Sequence, residues 1–292
     1  TAENSMTGIA IGAAINGFKP IITHQRVEFS LLSVEQIINQ ASKWSYMSAG
    51  KMFLPIVIRL IIGRGWGQGP QHSQSLENIF ASIPGLRVIC PSNAYDAKGL
   101  LISSIFDKNP VIFYEHRWLH NYNSFVPKKF YKLKLEKSKI IQKGNSVSII
   151  SSSFMTTEVI KAAQILKKYK IDVEILDLIS LRPLDTTTII KTARKTKKIL
   201  IVDNGWMKFG ISSEIASIIT ENLSENFKFK IKRIGLADAP IPSTRSLAKY
   251  SYISVEKIIN TVFSMLNKNL KIKEKYNQNF NDTPDNSFTG PF

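Results

Sequence analysis

A chain of 292 residues with 39 Lys+Arg against 22 Asp+Glu carries a formal charge of +17, and its 43% hydrophobic and 10% aromatic content excludes a disordered chain. At this length one core stops growing and two domains are expected. The single cysteine, Cys90, excludes a disulfide framework and a cysteine-based zinc site and fits a reducing, cytoplasmic setting. No apolar run approaches the roughly 18 residues of a membrane span. The lysines are scattered among Ile and Asn residues, so a solvated basic surface is preferred to a nucleic-acid site.

Early charge at Glu3 argues against a signal peptide, and the chain reads as one that begins inside a domain. Short apolar runs at 19–22, 55–60, 87–90 and 110–114 read as buried strands. Between them, 31–46 and 94–106 carry apolar residues at three- and four-residue spacing, as amphipathic helices do. Buried strands separated by helices imply parallel βαβ units. The stretch 128–145, rich in lysine after Pro127, reads as a linker. Alternation then restarts with strands at 146–151, 173–178, 199–203 and 228–234 and helices at 156–168, 186–195, 212–222 and 255–266. The expectation is an α/β chain of two doubly wound, mostly parallel-sheet domains in tandem, 1–127 and 146–268, ending in a polar tail at 269–292.

The densest unusual stretch is Gly63-Arg64-Gly65-Trp66-Gly67-Gln68-Gly69-Pro70-Gln71-His72-Ser73-Gln74. Glycine at every second position directly after a strand lets backbone approach another surface closely. The spacing fits neither a dinucleotide fingerprint nor a P-loop, and it reads either as a flexible loop or as the rim of a site. His72 is one of four histidines; taken alone it reads first as a hydrogen-bonded structural residue and only second as a proton-transfer group. Glu3 ahead of a Gly- and Ala-rich segment either complements a helix N-terminus or, in a low-dielectric cleft, shares a proton with a cofactor nitrogen. No nucleophile elbow and no H-E-x-x-H helix is present, which excludes those hydrolase and metalloprotease classes.

In order along the chain stand Ala2-Glu3-Asn4-Ser5-Met6-Thr7-Gly8, Gly17-Phe18-Lys19-Pro20, Glu35-Gln36-Ile37-Ile38-Asn39, Tyr46-Met47-Ser48-Ala49-Gly50, Pro70-Gln71-His72-Ser73-Gln74-Ser75 and Ile83-Pro84-Gly85-Leu86. Leu181-Arg182-Pro183-Leu184-Asp185, Gly205-Trp206 and Ala237-Asp238-Ala239-Pro240 follow. This series resembles the beta subunit of thiamine-diphosphate-dependent 2-oxo-acid dehydrogenases of the pyruvate and branched-chain type, from Glu3 to about Leu266.

The resemblance implies a thiamine-diphosphate pyrimidine-binding domain, short of its first strand and helix, followed by a transketolase-type C-terminal domain. It implies that Glu3 hydrogen-bonds the aminopyrimidine ring, that Phe29 stacks on it with Gln25 beside the cofactor, and that His72 lies near the reacting substrate. In some relatives, carbonyls equivalent to those of Ile56, Ser104, Ile105, Asp107 and Asn109 hold a structural potassium ion. The diphosphate and its magnesium belong to a Gly-Asp-Gly motif on a separate alpha subunit, a motif this sequence lacks. The implied assembly is therefore α2β2, with two copies of this chain, an active site shared with the alpha subunit and a lipoyl acyltransferase as acceptor.

Gln25-Arg26-Val27-Glu28 departs from the family pattern. If Arg26 faces the cleft with Arg64, a substrate with an additional anionic group is attractive. The activity implied is decarboxylation of a 2-oxo acid with transfer of the acyl unit to a lipoyl group. Two alternatives stand beside it: a split transketolase-like enzyme moving a two-carbon ketol unit, which uses the same cofactor chemistry, and a non-catalytic scaffold or nucleic-acid-binding protein.

Overall fold

The computed structural model describes residues 2–63, 68–223 and 227–272. The first half opens with α1 (Glu3–Ile15) and β1 (Ile21–His24), then a 3-10 turn (Val27–Ser33), a π-helical stretch (Glu35–Ala41) and α2 (Trp44–Met47). It continues through β2 (Val57–Ile62), α3 (Glu77–Ala81), β3 (Arg87–Ile89), α4 (Ala94–Ile105), β4 (Val111–His116) and a second 3-10 turn (Arg117–Asn121). Strands β1, β2, β4 and β3 lie side by side in that order and run parallel, with Ile22 opposite Ile58 and Ile58 opposite Ile112. Ile58, Leu60, Ile62, Val111, Ile112, Phe113 and Tyr114 are all buried. That is why the sequence reads as unbroken apolar runs: helices and loops cover both faces of a parallel sheet. Asn93 starts α4 by accepting the Asp96 backbone N–H at 2.8 Å.

The second half contains β5 (Lys139–Gln142), β6 (Val147–Ser151), α5 (Ser153–Lys168), β7 (Val173–Asp177), β8 (Ser180–Arg182) and α6 (Thr186–Thr196). It closes with β9 (Lys198–Trp206), α7 (Ile211–Asn222), β10 (Lys230–Leu236), α8 (Arg245–Ser251) and α9 (Val255–Met265). Its sheet runs β10-β9-β6-β7-β5, parallel except for β5. Asp185 caps α6 and Ser254 caps α9, accepting backbone N–H groups at 3.2 and 3.1 Å. The architecture is the expected pair of mostly parallel α/β sheets.

Three local expectations are corrected. The helix expected over 31–46 is a succession of 3-10, π and short α pieces. Ser30 donates its hydroxyl to the Val27 carbonyl at 2.6 Å, competing with a regular ladder, and Ser42 N–H reaches back five residues to Ile37. The stretch read as a linker, 128–145, holds β5 at the sheet edge, where Lys139 lies opposite Asp177. Finally, β8 leaves the second half and pairs antiparallel with β3 of the first sheet, Ile89 opposite Ser180. The reason is burial: Ile179 and Leu135 pack with Val57, Ile89, Leu100 and Phe113. A further core joins Ile58, Ile112 and Tyr114 to Ile150, Leu176, Ile199 and Ile219, so apolar packing is continuous across the two halves. Of the tail expected at 269–292, residues 273–292 lie outside the described residues.

Candidate cofactor site at the strand ends

The carboxyl ends of β1, β2 and β4 are adjacent in the first sheet. This edge is where open α/β sheets hold ligands, because the chain there leaves the ladder and turns. After β1 come Gln25 and Arg26; after β2, Gly63 and the glycine-rich loop; after β4, Arg117. Gly63 has φ +93°, and a Cβ there would sit 2.1 Å from His116 Nε2, so only glycine lets the loop depart at this point. Its N–H donates to the Gln74 carbonyl at 3.1 Å and closes the base of the loop that carries His72.

Glu3 is the first residue of α1 and is buried, 8% exposed. It faces buried His24 at the end of β1; burial pushes the His24 imidazole below its ordinary range, and the Glu3 charge partly offsets this. His24 Nε2 has no hydrogen-bond partner. Helix α1 packs on the 3-10 turn that carries Phe29. The Phe29 ring, 36% exposed, lies 5.9 Å from the His72 ring, centroid to centroid. His72 Nδ1 meets a Glu28 carboxylate oxygen in a short contact, which sets the orientation of the ring.

The expected Glu3, Phe29 and His72 are thus placed along one edge, with Gln25 exposed beside them. Arg26 reaches Gln68, donating from Nε to Oε1 at 3.0 Å, and Arg64 lies outside the described residues. Sequence reasoning missed Glu28, His24, Gln68 and Arg117. The available signal was position, since each follows or ends a strand of this edge. Arg117 donates to the same Gln68 oxygen at 2.9 Å. Its own burial and the neighbouring Arg26 push its guanidinium below the usual range, with Glu28 opposing.

Ile56, Ser104, Ile105, Asp107 and Asn109 gather elsewhere. They sit at the amino ends of β2 and β4 and at the end of α4, about 20 Å along the strands from His72's edge by strand rise. The Ile56 carbonyl accepts Val111 N–H at 2.9 Å, and the Ser104 carbonyl accepts Asp107 N–H at 3.2 Å. Asp107 holds Asn109 N–H at 2.8 Å through one oxygen, and its other oxygen lies 2.8 Å from Arg87 Nε.

A buried carboxylate, an unpartnered buried imidazole nitrogen and a half-exposed aromatic ring at the carboxyl edge fit an aromatic cofactor ring with exchangeable N–H groups. Among the described residues no group of three or more His, Cys, Asp or Glu side chains is placed to hold a metal, and no helix is long and apolar enough to cross a membrane.

The family model for the transketolase pyrimidine-binding domain matches residues 1–121, and that for the transketolase C-terminal domain matches 136–258. The chain is 42% identical to "Pyruvate dehydrogenase E1 component subunit beta" of Cyanidium caldarium over 265 residues, covering 91% of this chain and 81% of that protein. The relative of the same name from Porphyra purpurea is 40% identical, covering 93% and 82%. The mitochondrial one of Dictyostelium discoideum is 35% identical, covering 91% and 76%. A solved structure described as "Split gene transketolase, inactive beta4 tetramer" superposes with a TM-score of 0.74 at 19% identity, over 91% of this chain and 82% of that one. That likeness concerns the fold.

Proposed function

The chain belongs to the family of pyruvate dehydrogenase E1 component beta subunits, and on that premise we propose that it is the beta-type subunit of a thiamine-diphosphate-dependent 2-oxo-acid dehydrogenase. It decarboxylates a 2-oxo acid and passes the acyl unit to a lipoyl group. The observation that carries the site assignment is the buried Glu3 carboxylate on a helix packed against the turn of Phe29, with His72 beside that ring.

Residues 1–127 receive the pyrimidine end of the cofactor. Bound there, thiamine diphosphate supplies an electron sink for loss of carbon dioxide, chemistry that no side chain offers. Glu3 holds a proton shared with a ring nitrogen, in a low-dielectric setting that strengthens the contact. Phe29 presents a face for stacking. Glu28 orients the His72 imidazole, so that its other nitrogen is available to the substrate's reacting end. Gln25 borders the cofactor.

The diphosphate and magnesium belong to an alpha subunit, and the chain alone is inactive. Exposed Met6, Ile9, Leu31 and Leu32 lie on α1 and the 3-10 turn, the elements that carry Glu3 and Phe29, and exposed apolar side chains of this kind mark a protein interface. It suits the alpha subunit and a second copy of this chain in an α2β2 assembly, with a lipoyl acyltransferase as acceptor. Oxygen donors at the negative end of α4 suit a structural potassium ion at Ile56, Ser104, Ile105, Asp107 and Asn109. The buried free thiol of Cys90 accords with a reducing cytoplasmic compartment.

The test is Glu3→Gln in the chain reconstituted with its alpha subunit, cofactor and magnesium. Decarboxylation of a 2-oxo acid falls by roughly 10²- to 10⁴-fold while the complex still assembles. A rate equal to wild type removes the role given to Glu3.

A further inference from the structure

The last residue of β1 is a buried polar group that the fold leaves incomplete. Strand β1 alternates exposed and buried residues, and its buried members are Ile22 and His24. Ile22 packs in the cluster that holds Ala10, Ile11 and Ala14 of α1, so this face of the strand looks onto that helix. Residues 16–20 turn the chain from α1 directly into β1, which brings the first turn of the helix and the last residue of the strand to the same end, and the Glu3 charge acts on the His24 ring. The 3-10 turn that carries Phe29 packs against both α1 and β1. Glu3, 8% exposed, His24, 3% exposed, and the turn of Phe29 thus share one corner.

Among the described residues, nothing hydrogen-bonds His24 Nε2. Its ladder neighbour on β2 is Leu60, which has no polar side chain to offer, and Glu28 on the 3-10 turn meets His72 through Oε1. A ring nitrogen taken out of water and given no partner destabilises the fold, whereas an apolar side chain in the same place carries no such penalty. Burial pushes the His24 imidazole below its ordinary range, with the Glu3 charge opposing, so near neutral pH the ring is uncharged and offers one N–H and one lone pair. A local rule broken in this way, beside a buried carboxylate and an aromatic ring, points to a group that arrives from outside and completes the pairing.

We propose that His24 is a second polar contact for the aminopyrimidine ring of the cofactor, its Nε2 kept unpaired by the fold until the polar edge of that ring binds. This rests on the reading of the site as one for thiamine diphosphate. The ring then meets a charged partner in Glu3, a stacking face in Phe29 and a neutral, directional partner in His24, which fixes its orientation without adding charge to the corner.

The experiment is calorimetric titration of the complex reconstituted with its alpha subunit and magnesium, once with thiamine diphosphate and once with inorganic pyrophosphate, which lacks the ring. His24→Phe weakens thiamine diphosphate binding about tenfold and leaves pyrophosphate binding within about twofold. His24→Gln, which restores an amide donor and acceptor, falls between. His24→Leu, smaller than the imidazole, carries the same comparison where the Phe variant does not assemble. Unchanged thiamine diphosphate affinity in the apolar variants overturns the proposal. So does a loss of the same factor for both probes, which is the mark of a merely structural residue, or a Gln variant no better than Phe and Leu. Wild type that binds the two probes equally removes both the contact and the cofactor reading. Decarboxylation of 2-oxo acids, followed in the same samples, reads the enzyme assignment separately: a His24-dependent affinity for thiamine diphosphate without turnover leaves the contact standing and removes the 2-oxo-acid dehydrogenase reading.

Discussion

The two sheets are assembled from the same alternation of strand and helix, yet they finish differently. In the second, α5 and α9 bury Val159, Ala162, Leu166, Ile258 and Phe263 on one face, and α6 and α7 bury Ile189, Ala193, Ile215 and Ile219 on the other. In the first, α1 and the 3-10 turn, which carry Glu3 and Phe29, leave Ile9 74% and Leu32 62% exposed. The second sheet is covered by helices on both faces, one of them within the core it shares with the first half, while the first leaves apolar side chains exposed on the elements that carry Glu3 and Phe29, whose chemistry, on our reading, needs a second chain. On that reading, a cofactor held between subunits needs a wall from each.

Truncation in the cluster that α5 and α9 bury against the second sheet carries the largest expected effect. Phe263→Ala lowers the unfolding free energy of the isolated chain by about 3–5 kcal/mol, seen as an earlier denaturant midpoint. A change below about 1 kcal/mol would mean that the second half is as loosely closed as the first.

The seam between the halves supplies the next test. Glu77, first residue of α3, is buried near Asp203, and burial pushes its carboxyl up to about 8. Below its ordinary pKa of 4.5 both folded and unfolded states hold the proton, and Glu77 contributes no pH dependence. Between 4.5 and 8 the unfolded chain releases it while the folded chain keeps it, so stability falls as pH rises. Glu77→Gln therefore stabilises the chain at pH 8 by a few kcal/mol, on the order of 1.4 kcal/mol per unit of pKa difference. Its melting point converges with wild type near pH 4. Parallel melting curves at the two pH values would show that Glu77 is ionised in the folded state.

Glu28→Gln tests the site's inner edge. It leaves His72 with a neutral partner, and decarboxylation by the reconstituted complex drops about tenfold with the pH profile displaced. An unchanged profile would dismiss Glu28 as the orienting group.

The smallest stability effect belongs to the apolar face. Ile9→Ser changes the isolated chain by within about 0.5 kcal/mol, yet weakens assembly with the alpha subunit about tenfold by sedimentation or calorimetry. If assembly is untouched, that face belongs to another contact.

Local pattern made much of the fold legible. The runs around Ile58 and Ile112 announce buried parallel strands, and the three- and four-residue apolar spacing over 94–106 announces α4. The candidate site came from motif resemblance, which proposes Glu3, Phe29 and His72. The departure from helical form over 31–46 was not, because hydroxyl competition at Ser30 and wide turns at Ser42 leave the apolar spacing intact. Glu28, Gln68 and Arg117 carry no motif of their own, and their significance comes from which strand ends are neighbours.

By itself, then, the order of residues determined the succession of elements, their buried faces and the family motifs, since these depend on interactions within a few residues and on side-chain polarity. Only the tertiary structure decided that β8 joins the other half's sheet, that β5 closes an edge, and that three strand ends bring two guanidiniums onto one amide. Those outcomes depend on which distant surfaces exclude water most completely when packed together.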